Sequence, residues 1–126
     1  MPRTKTIPGL PEGACLSLIG MAGSGKSTVG RILAALTGLA HVDTDALIEQ
    51  AHGMILQAIV DRLGEEAFVA EEERIVAGLT ARDAVISTGG SVVYGPRAVA
   101  RLKALGLVVW LAPRPEFIHA RVARHP

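Results

Sequence analysis

Apolar positions along the chain fall into two patterns, short unbroken runs and longer stretches in which they recur every third or fourth residue. The unbroken runs at 14–19, 39–42, 84–87 and 107–111 read as four buried strands. After the first, Val29, Ile32, Leu33 and Leu36 recur at helical spacing within about Lys26–Leu36, and Gly38 is placed to cap the end. From Ala46 to Thr80 the pattern is helical but interrupted. One helix, capped by Thr44 or Asp45, runs through Ala51 and breaks at Gly53; Ile55, Ile59, Val60 and Leu63 mark a second, which ends at Gly64; Glu65–Leu79 makes a third. Pro96 opens a helix that runs to Leu105 and stops at Gly106. Pro115 begins a last helix carrying Phe117, Ile118 and Val122 on one face. Residues 1–13, with Pro2, Pro8 and Pro11 and no periodicity, read as a loose lead-in.

Strands alternating with helices predict an α/β fold, and aliphatic strands without polar alternation predict a parallel sheet covered on both faces. The 126 residues suffice for one domain. One crossover between parallel strands needs one helix, so the surplus over about 44–80 is expected to form a small helical flap over a binding site.

The chemistry concentrates in Gly20-Met21-Ala22-Gly23-Ser24-Gly25-Lys26-Ser27-Thr28, between the first strand and the first helix. This fills the pattern G-x-x-x-x-G-K-[ST], in which glycines let backbone N–H groups converge on an anion at a helix N-terminus. Gly20, Gly23, Ser24, Gly25, Lys26, Ser27 and Thr28 are thus expected to hold nucleotide phosphates. Lys26 would reach the β- and γ-phosphates, and the Ser27 hydroxyl would face Mg²⁺. A glycine-rich turn that binds nothing is the bland alternative; the filled positions and the flanking periodicities weigh against it.

Composition narrows the classes. Apolar residues make up 49% of the chain but aromatics only 3%, so the core must be aliphatic. The formal net charge of +1, with scattered basic residues, offers no footprint for nucleic acid or an anionic membrane surface. No stretch has the length of a transmembrane span or a signal peptide, and the expectation is a cytoplasmic protein. Cys15, the single cysteine, lies in an apolar strand and is expected to be a small core residue. Trp110 reads as a buried core residue, and Glu71-Glu72-Glu73 as a solvated helix face. His41, His52, His119 and His125 have no metal-ligand spacing; His41 reads as a strand residue near the surface and the others as helix-surface residues.

Three further stretches follow the loop in order: Asp43-Thr44-Asp45, Gly64-Glu65-Glu66-Ala67-Phe68 and Ser87-Thr88-Gly89-Gly90. Together with the loop they resemble the shikimate kinase family of small P-loop kinases, over about 14–121. The resemblance implies a three-layer α/β/α fold with a parallel sheet in the order 2-3-1-4, and the family's fifth strand is expected to be missing here. It implies ATP as phosphoryl donor, Mg²⁺ as its ion and shikimate as the small-molecule acceptor. By the same resemblance Asp43 lies near Mg²⁺, Asp45 binds the acceptor hydroxyls, Gly89 and Gly90 pack against its ring, and Arg121 lies on the adenine. The chemistry of an Asp that accepts a hydrogen bond from an alcohol makes Asp45, with Lys26, the expected catalytic pair. Helix capping at Thr44 or Asp45 remains the alternative use of that stretch.

The chain departs from the family pattern at Val69, where the family has an arginine for the shikimate carboxylate, and at Ser91, which replaces a third glycine and would add a hydroxyl beside the acceptor. It also stops before the family's lid arginine, second substrate arginine and C-terminal helix. A Mg-ATP-binding protein without transferase activity, or a kinase for another polyol, is therefore carried as an alternative. A P-loop GTPase is disfavoured because no N-K-x-D stretch follows. The expected state is a monomer, with association through an uncovered edge strand as the exception.

Overall fold

The computed structural model describes residues 9–20 and 25–111. Four strands, β1 (Cys15–Ile19), β2 (Ala40–Asp43), β3 (Ala84–Ser87) and β4 (Gly106–Trp110), form one sheet in the order β2-β3-β1-β4. Every pairing is parallel, with Asp43 opposite Ser87, Ser87 opposite Leu18 and Ile19 opposite Trp110. Five helices connect them: α1 (Lys26–Thr37), α2 (Thr44–His52), α3 (Leu56–Leu63), α4 (Glu65–Ala77) and α5 (Pro96–Leu105). A single 3-10 turn, Val92–Tyr94, precedes α5. The strand order and the strand limits agree with the sequence reading to within a residue or so at each end. The helix expected from Pro115 lies outside the described residues.

Alternation along the strands divides the core into two layers. Cys15, Ile19, Ala84 and Ile86 point to one face and pack with Val76, Ala98 and Leu102 of α4 and α5. Leu18 and Val85 point to the other and pack with Ala34 of α1, Leu39 and Leu10. Cys15 is buried, as expected of a core residue, and burial holds its thiol above the ordinary range. Leu10 corrects the loose lead-in for the part described: it sits in this second layer at 5% exposure.

Helix α1 departs from its predicted apolar stripe. Ile32 and Leu36 are exposed, whereas Gly30 and Ala34 are buried. The reason is close approach: a Cβ on Gly30 would run into the Ser87 hydroxyl and stand 2.9 Å from His41 Nε2. Small residues at i and i+4 thus bring the helix down onto the sheet where the carboxyl ends of β2 and β3 meet. Gly38, at φ 77°, ends it by donating to the Ala34 carbonyl.

Between β2 and β3 a third apolar cluster joins Ile48, Ile59 and Phe68, with Met54, Leu56, Val60 and Ile75 around them. It is built by α2, α3 and one face of α4. Helix α4 has a second allegiance, since Val76 is fully buried in the main core. Thus α4 is the crossover helix on the sheet, and α2 and α3 are the surplus. Trp110, read as a core residue, is 55% exposed, and Leu107 is 48% exposed. Among the described residues β4 pairs on one side only, with β1, so its side chains lack a second neighbouring strand.

Candidate functional site

All four parallel strands end at one edge of the sheet, and the polar residues the sequence singles out collect there. A cavity of about 320 Å³ opens at that edge, walled by Gly25, Lys26, Ser27, Thr28, Asp45, Thr88, Gly89 and Gly90. Ligands of open α/β sheets bind outside the carboxyl ends of the strands, where this cavity lies.

The glycine-rich wall follows from backbone geometry. Gly25 caps α1 at φ 89°, ψ 17°, a left-handed conformation, with no side-chain hydrogen bond. A Cβ there would meet nothing within 4 Å, so the glycine is required by its torsions and not by crowding. The first turn of α1, Lys26, Ser27 and Thr28, lies at the helix end whose N–H groups favour an anion, and it holds no acidic side chain. Lys26 is 7% exposed, and its Nζ donates to the Gly20 carbonyl at 2.8 Å, which holds the side chain back along the loop. Burial pushes the Lys26 ammonium below the ordinary lysine range, against the pull of the Asp45 and Glu72 carboxyls. Gly23 and Ser24, expected on this wall, and Arg121, expected on the adenine, lie outside the described residues.

Asp43 and Asp45 separate into different tasks. Asp43 is the last residue of β2 and the N-cap of α2: its Oδ1 accepts from Asp45 N at 2.9 Å and Ala46 N at 3.4 Å. The cap anticipated at Thr44 or Asp45 therefore falls one residue earlier, because the strand runs through Asp43 and its extended backbone leaves the carboxylate facing the first helical N–H groups. Thr44 is fully buried, and Asp43 is not among the described wall residues. Asp45, freed from capping, does line the cavity beside Lys26. Burial raises its carboxyl above the ordinary aspartate range, Asp43 adds to the rise, and Lys26 opposes it. A carboxylate of raised basicity facing a cavity is suited to accept a hydroxyl proton.

Across the cavity, Thr88 continues β3 by donating both its N–H (3.3 Å) and its hydroxyl (2.9 Å) to the Leu18 carbonyl. Gly89 and Gly90 follow with no side chains to narrow the opening. Gly89 is required by crowding: a Cβ there would collide with Glu72 Oε2 and stand 2.7 Å from Asp45 Oδ1. Behind the α1 wall, Ser87 donates to the Lys26 carbonyl at 3.0 Å, and His41 Nε2 lies 2.9 Å from the same hydroxyl. His41 is thus tied to the first turn of α1 and is half-buried.

The acidic run on α4 is not a solvated face. Glu72 is 1% exposed and sits beside the cavity, with its Oε1 accepting from Ser91 Oγ at 2.7 Å. Glu71 pairs with Arg74 and, at 3.3 Å, with His52; Glu73 pairs with Arg97 at 3.4 Å. Three consecutive carboxylates on a helix point in three directions, and here only the middle one meets the sheet edge. A signal was present in the sequence: Glu72 stands four residues after Phe68 and four before Val76, both core residues, so it shares their stripe. The same contact turns Ser91 towards α4, so the hydroxyl expected beside the acceptor is engaged with Glu72 instead.

A parallel α/β/α sheet with a glycine turn, a buried lysine at the first helix and an aspartate at the next strand end has the architecture of the P-loop nucleotide-binding kinases. The shikimate kinase family model matches residues 22–126. The chain belongs to the shikimate kinase family. It is 45% identical over 116 residues to a shikimate kinase of Gloeobacter violaceus, covering 91% of this chain and 65% of that one. With the Moorella thermoacetica shikimate kinase it shares 47% identity over 100 residues, covering 79% and 58%. Among solved structures, a shikimate kinase from Acinetobacter baumannii in complex with shikimate superposes with a TM-score of 0.77 at 34% identity, covering 88% of this chain and 63% of that one. The shikimate kinase of Aquifex aeolicus gives 0.70 at 28% identity, covering 82% and 62%. The chain thus spans roughly three-fifths of the length of the relatives it matches. Among the described residues no helix is long and apolar enough to cross a membrane.

Proposed function

We propose that the chain acts as an ATP-dependent kinase that phosphorylates a hydroxyl of a small metabolite, with shikimate as the acceptor that family membership favours. The observation that carries this reading is the shared wall: Lys26 and Asp45 line one cavity, with Gly89 and Gly90 on its rim. Phosphoryl transfer asks mainly for positioning and for neutralising charge on the transferred group. Lys26 and the N–H groups at the start of α1 supply the positive side of that requirement. Asp45 accepts a hydrogen bond from the acceptor hydroxyl, orients it, and takes its proton as the oxygen bonds to the γ-phosphorus and the bond from that phosphorus to the departing ADP breaks. The donor set fits Mg-ATP: Ser27 lines the cavity and carries a hydroxyl, and Asp43 keeps Oδ2 outside its cap bonds. Bound Mg²⁺ would neutralise phosphate charge that Lys26 alone leaves. Gly23, Ser24 and Arg121 belong to the same proposal as further nucleotide contacts. The helices α2 and α3, with their separate apolar cluster, are the proposed flap over the acceptor within a single domain.

A second acceptor class is favoured by one observation. No arginine stands among the described wall residues, and the family's carboxylate-binding arginine is Val69 here, half-buried on α4 one turn before Glu72. That wall suits a neutral polyol at least as well as a carboxylate-bearing one. The test is ADP release from Mg-ATP by the purified chain, with shikimate, with its neutral methyl ester, and with a panel of uncharged polyols. Shikimate-dependent release supports the family acceptor, and faster release with the ester or a polyol moves the substrate. ATP binding without acceptor-dependent release would overturn the kinase reading and leave a nucleotide-binding protein.

A further inference from the structure

His41 takes no part in the proposed chemistry, yet a continuous line of hydrogen bonds joins it to the phosphate end of α1. Ser87, at 1% exposure, donates its hydroxyl hydrogen to the Lys26 carbonyl at 3.0 Å, and His41 Nε2 stands 2.9 Å from the same hydroxyl oxygen. A serine hydroxyl has one hydrogen and a carbonyl oxygen has none, so the Ser87 hydrogen is spent on Lys26. The hydrogen between His41 and Ser87 then sits on Nε2. Were Ser87 to donate to the ring instead, its oxygen would face the Lys26 carbonyl oxygen at 3.0 Å with no hydrogen between them. Room for this line comes from Gly30, since a Cβ there would run into the Ser87 hydroxyl and stand 2.9 Å from His41 Nε2. Three elements, β2, β3 and α1, thus supply the parts of one contact.

The line does not stop at the carbonyl. The Lys26 carbonyl and the Ser27 N–H are opposite ends of one planar peptide unit, so a donor that holds the oxygen also aims the N–H. Ser27 stands in the first turn of α1 and lines the cavity, at the helix end that favours an anion. From Nε2–H to Ser87 O–H to the peptide the donors all point the same way, and bonds in such a chain polarise one another. The Ser27 N–H is its positive end. We infer that His41 is a positioning residue for the nucleotide phosphates: acting through Ser87, it fixes and polarises the Lys26–Ser27 peptide, so that the Ser27 N–H is aimed and strengthened as a donor to the bound anion. The role needs a hydrogen on Nε2 only, so no change of charge on the ring enters it.

The hydrogen-bond line stands without the kinase reading; its effect on a ligand rests on the nucleotide half of that reading, and the two are tested separately. The probe is ADP, titrated into the whole chain by calorimetry. His41→Leu removes the donor and Ser87→Ala removes the link, and each should weaken ADP about five- to tenfold, the usual effect of losing one net hydrogen bond. Glutamine can place an N–H where Nε2 stands, so His41→Gln should bind ADP within about twofold of the wild-type chain. On the Ser87→Ala background, His41→Leu should change nothing further, because the link through which His41 acts is gone. In NMR spectra the Ser27 amide proton should move upfield in His41→Leu and return in His41→Gln. Unchanged ADP affinity in His41→Leu, a His41→Gln variant as weak as His41→Leu, or additive losses in the double variant each overturns the inference. If His41→Leu does not fold, His41→Asn, whose shorter amide does not reach Ser87, takes its place. Should the wild-type chain bind no ADP, the nucleotide reading fails, and the Ser27 amide shift with the ring Nε2–H signal decides the line alone. A ring without hydrogen on Nε2 overturns it in either case.

Discussion

Gly89 shows how much of this site is set by the absence of a single carbon. Its place in the cavity wall leaves no room for a Cβ between the Asp45 and Glu72 carboxyls. Gly89→Ala should push the two apart and lower kcat by about tenfold or more, while nucleotide affinity, measured by calorimetry, changes little because Lys26 and the start of α1 are untouched. Val69 is the opposite case, a residue whose replacement should add a function. On α4 it shares a face with Glu72 at i, i+3 spacing, so Val69→Arg brings a guanidinium towards the cavity. If the acceptor's carboxylate is what Val69 fails to hold, the variant lowers KM for shikimate and leaves KM for its methyl ester unchanged. Equal KM values for shikimate before and after the substitution would refute the carboxylate argument. Both residues could be marked in the sequence by motif position, but the crowding at Gly89 could not, because Glu72 comes from a helix distant in sequence.

At the scale of elements, the junction of β2 and α2 joins stability and chemistry in one side chain. Asp43 caps α2 through Oδ1 and is also the proposed residue nearest Mg²⁺. Asp43→Ala should cost about 1 kcal/mol in denaturant unfolding, the usual loss of an N-cap. Asn caps as well as Asp, so Asp43→Asn should keep that stability and yet lower Mg-dependent turnover if the metal role holds; full turnover would reduce Asp43 to a cap. Helix α1 illustrates the limit of periodicity. Its stripe of Val29, Ile32, Leu33 and Leu36 predicted the helix correctly but only half of its buried face: Val29 and Leu33 pack on the core, Ile32 and Leu36 are exposed, and Gly30 and Ala34 complete the face. An apolar count rewards large residues, whereas a helix drawn close to a sheet needs small ones. Gly30→Val should therefore destabilise the fold by about 1–3 kcal/mol through overpacking against Ser87 and His41, read as a fall in unfolding midpoint.

Across the whole molecule, the buried carboxyls of the cavity, Asp45 and Glu72, make stability depend on pH in a direction opposite to that of salt-bridged carboxylates. The folded state holds the Glu72 proton more tightly than the unfolded chain does, because burial raises its pKa. Between the ordinary glutamate value, about 4.3, and the raised folded value, the unfolded state binds fewer protons, so stability falls as pH rises. Glu72→Gln lacks this term. Denaturant unfolding of both proteins across pH should show the wild-type chain losing ground to the variant through that window, by up to about 1.4 kcal/mol per pH unit, with no further loss above it. A parallel pair of curves would contradict the buried, proton-retaining glutamate. By itself the sequence determined the four strands, the five described helices and the family, since these rest on short-range periodicity, backbone torsion and contiguous motifs. Tertiary structure alone decided that Glu72 is buried and faces Asp45, that Asp43 is the cap, and that Gly30 and Ala34 seat α1. Each of these depends on which distant groups share a few ångströms at the sheet edge, and that proximity is a property of packing that no local pattern encodes.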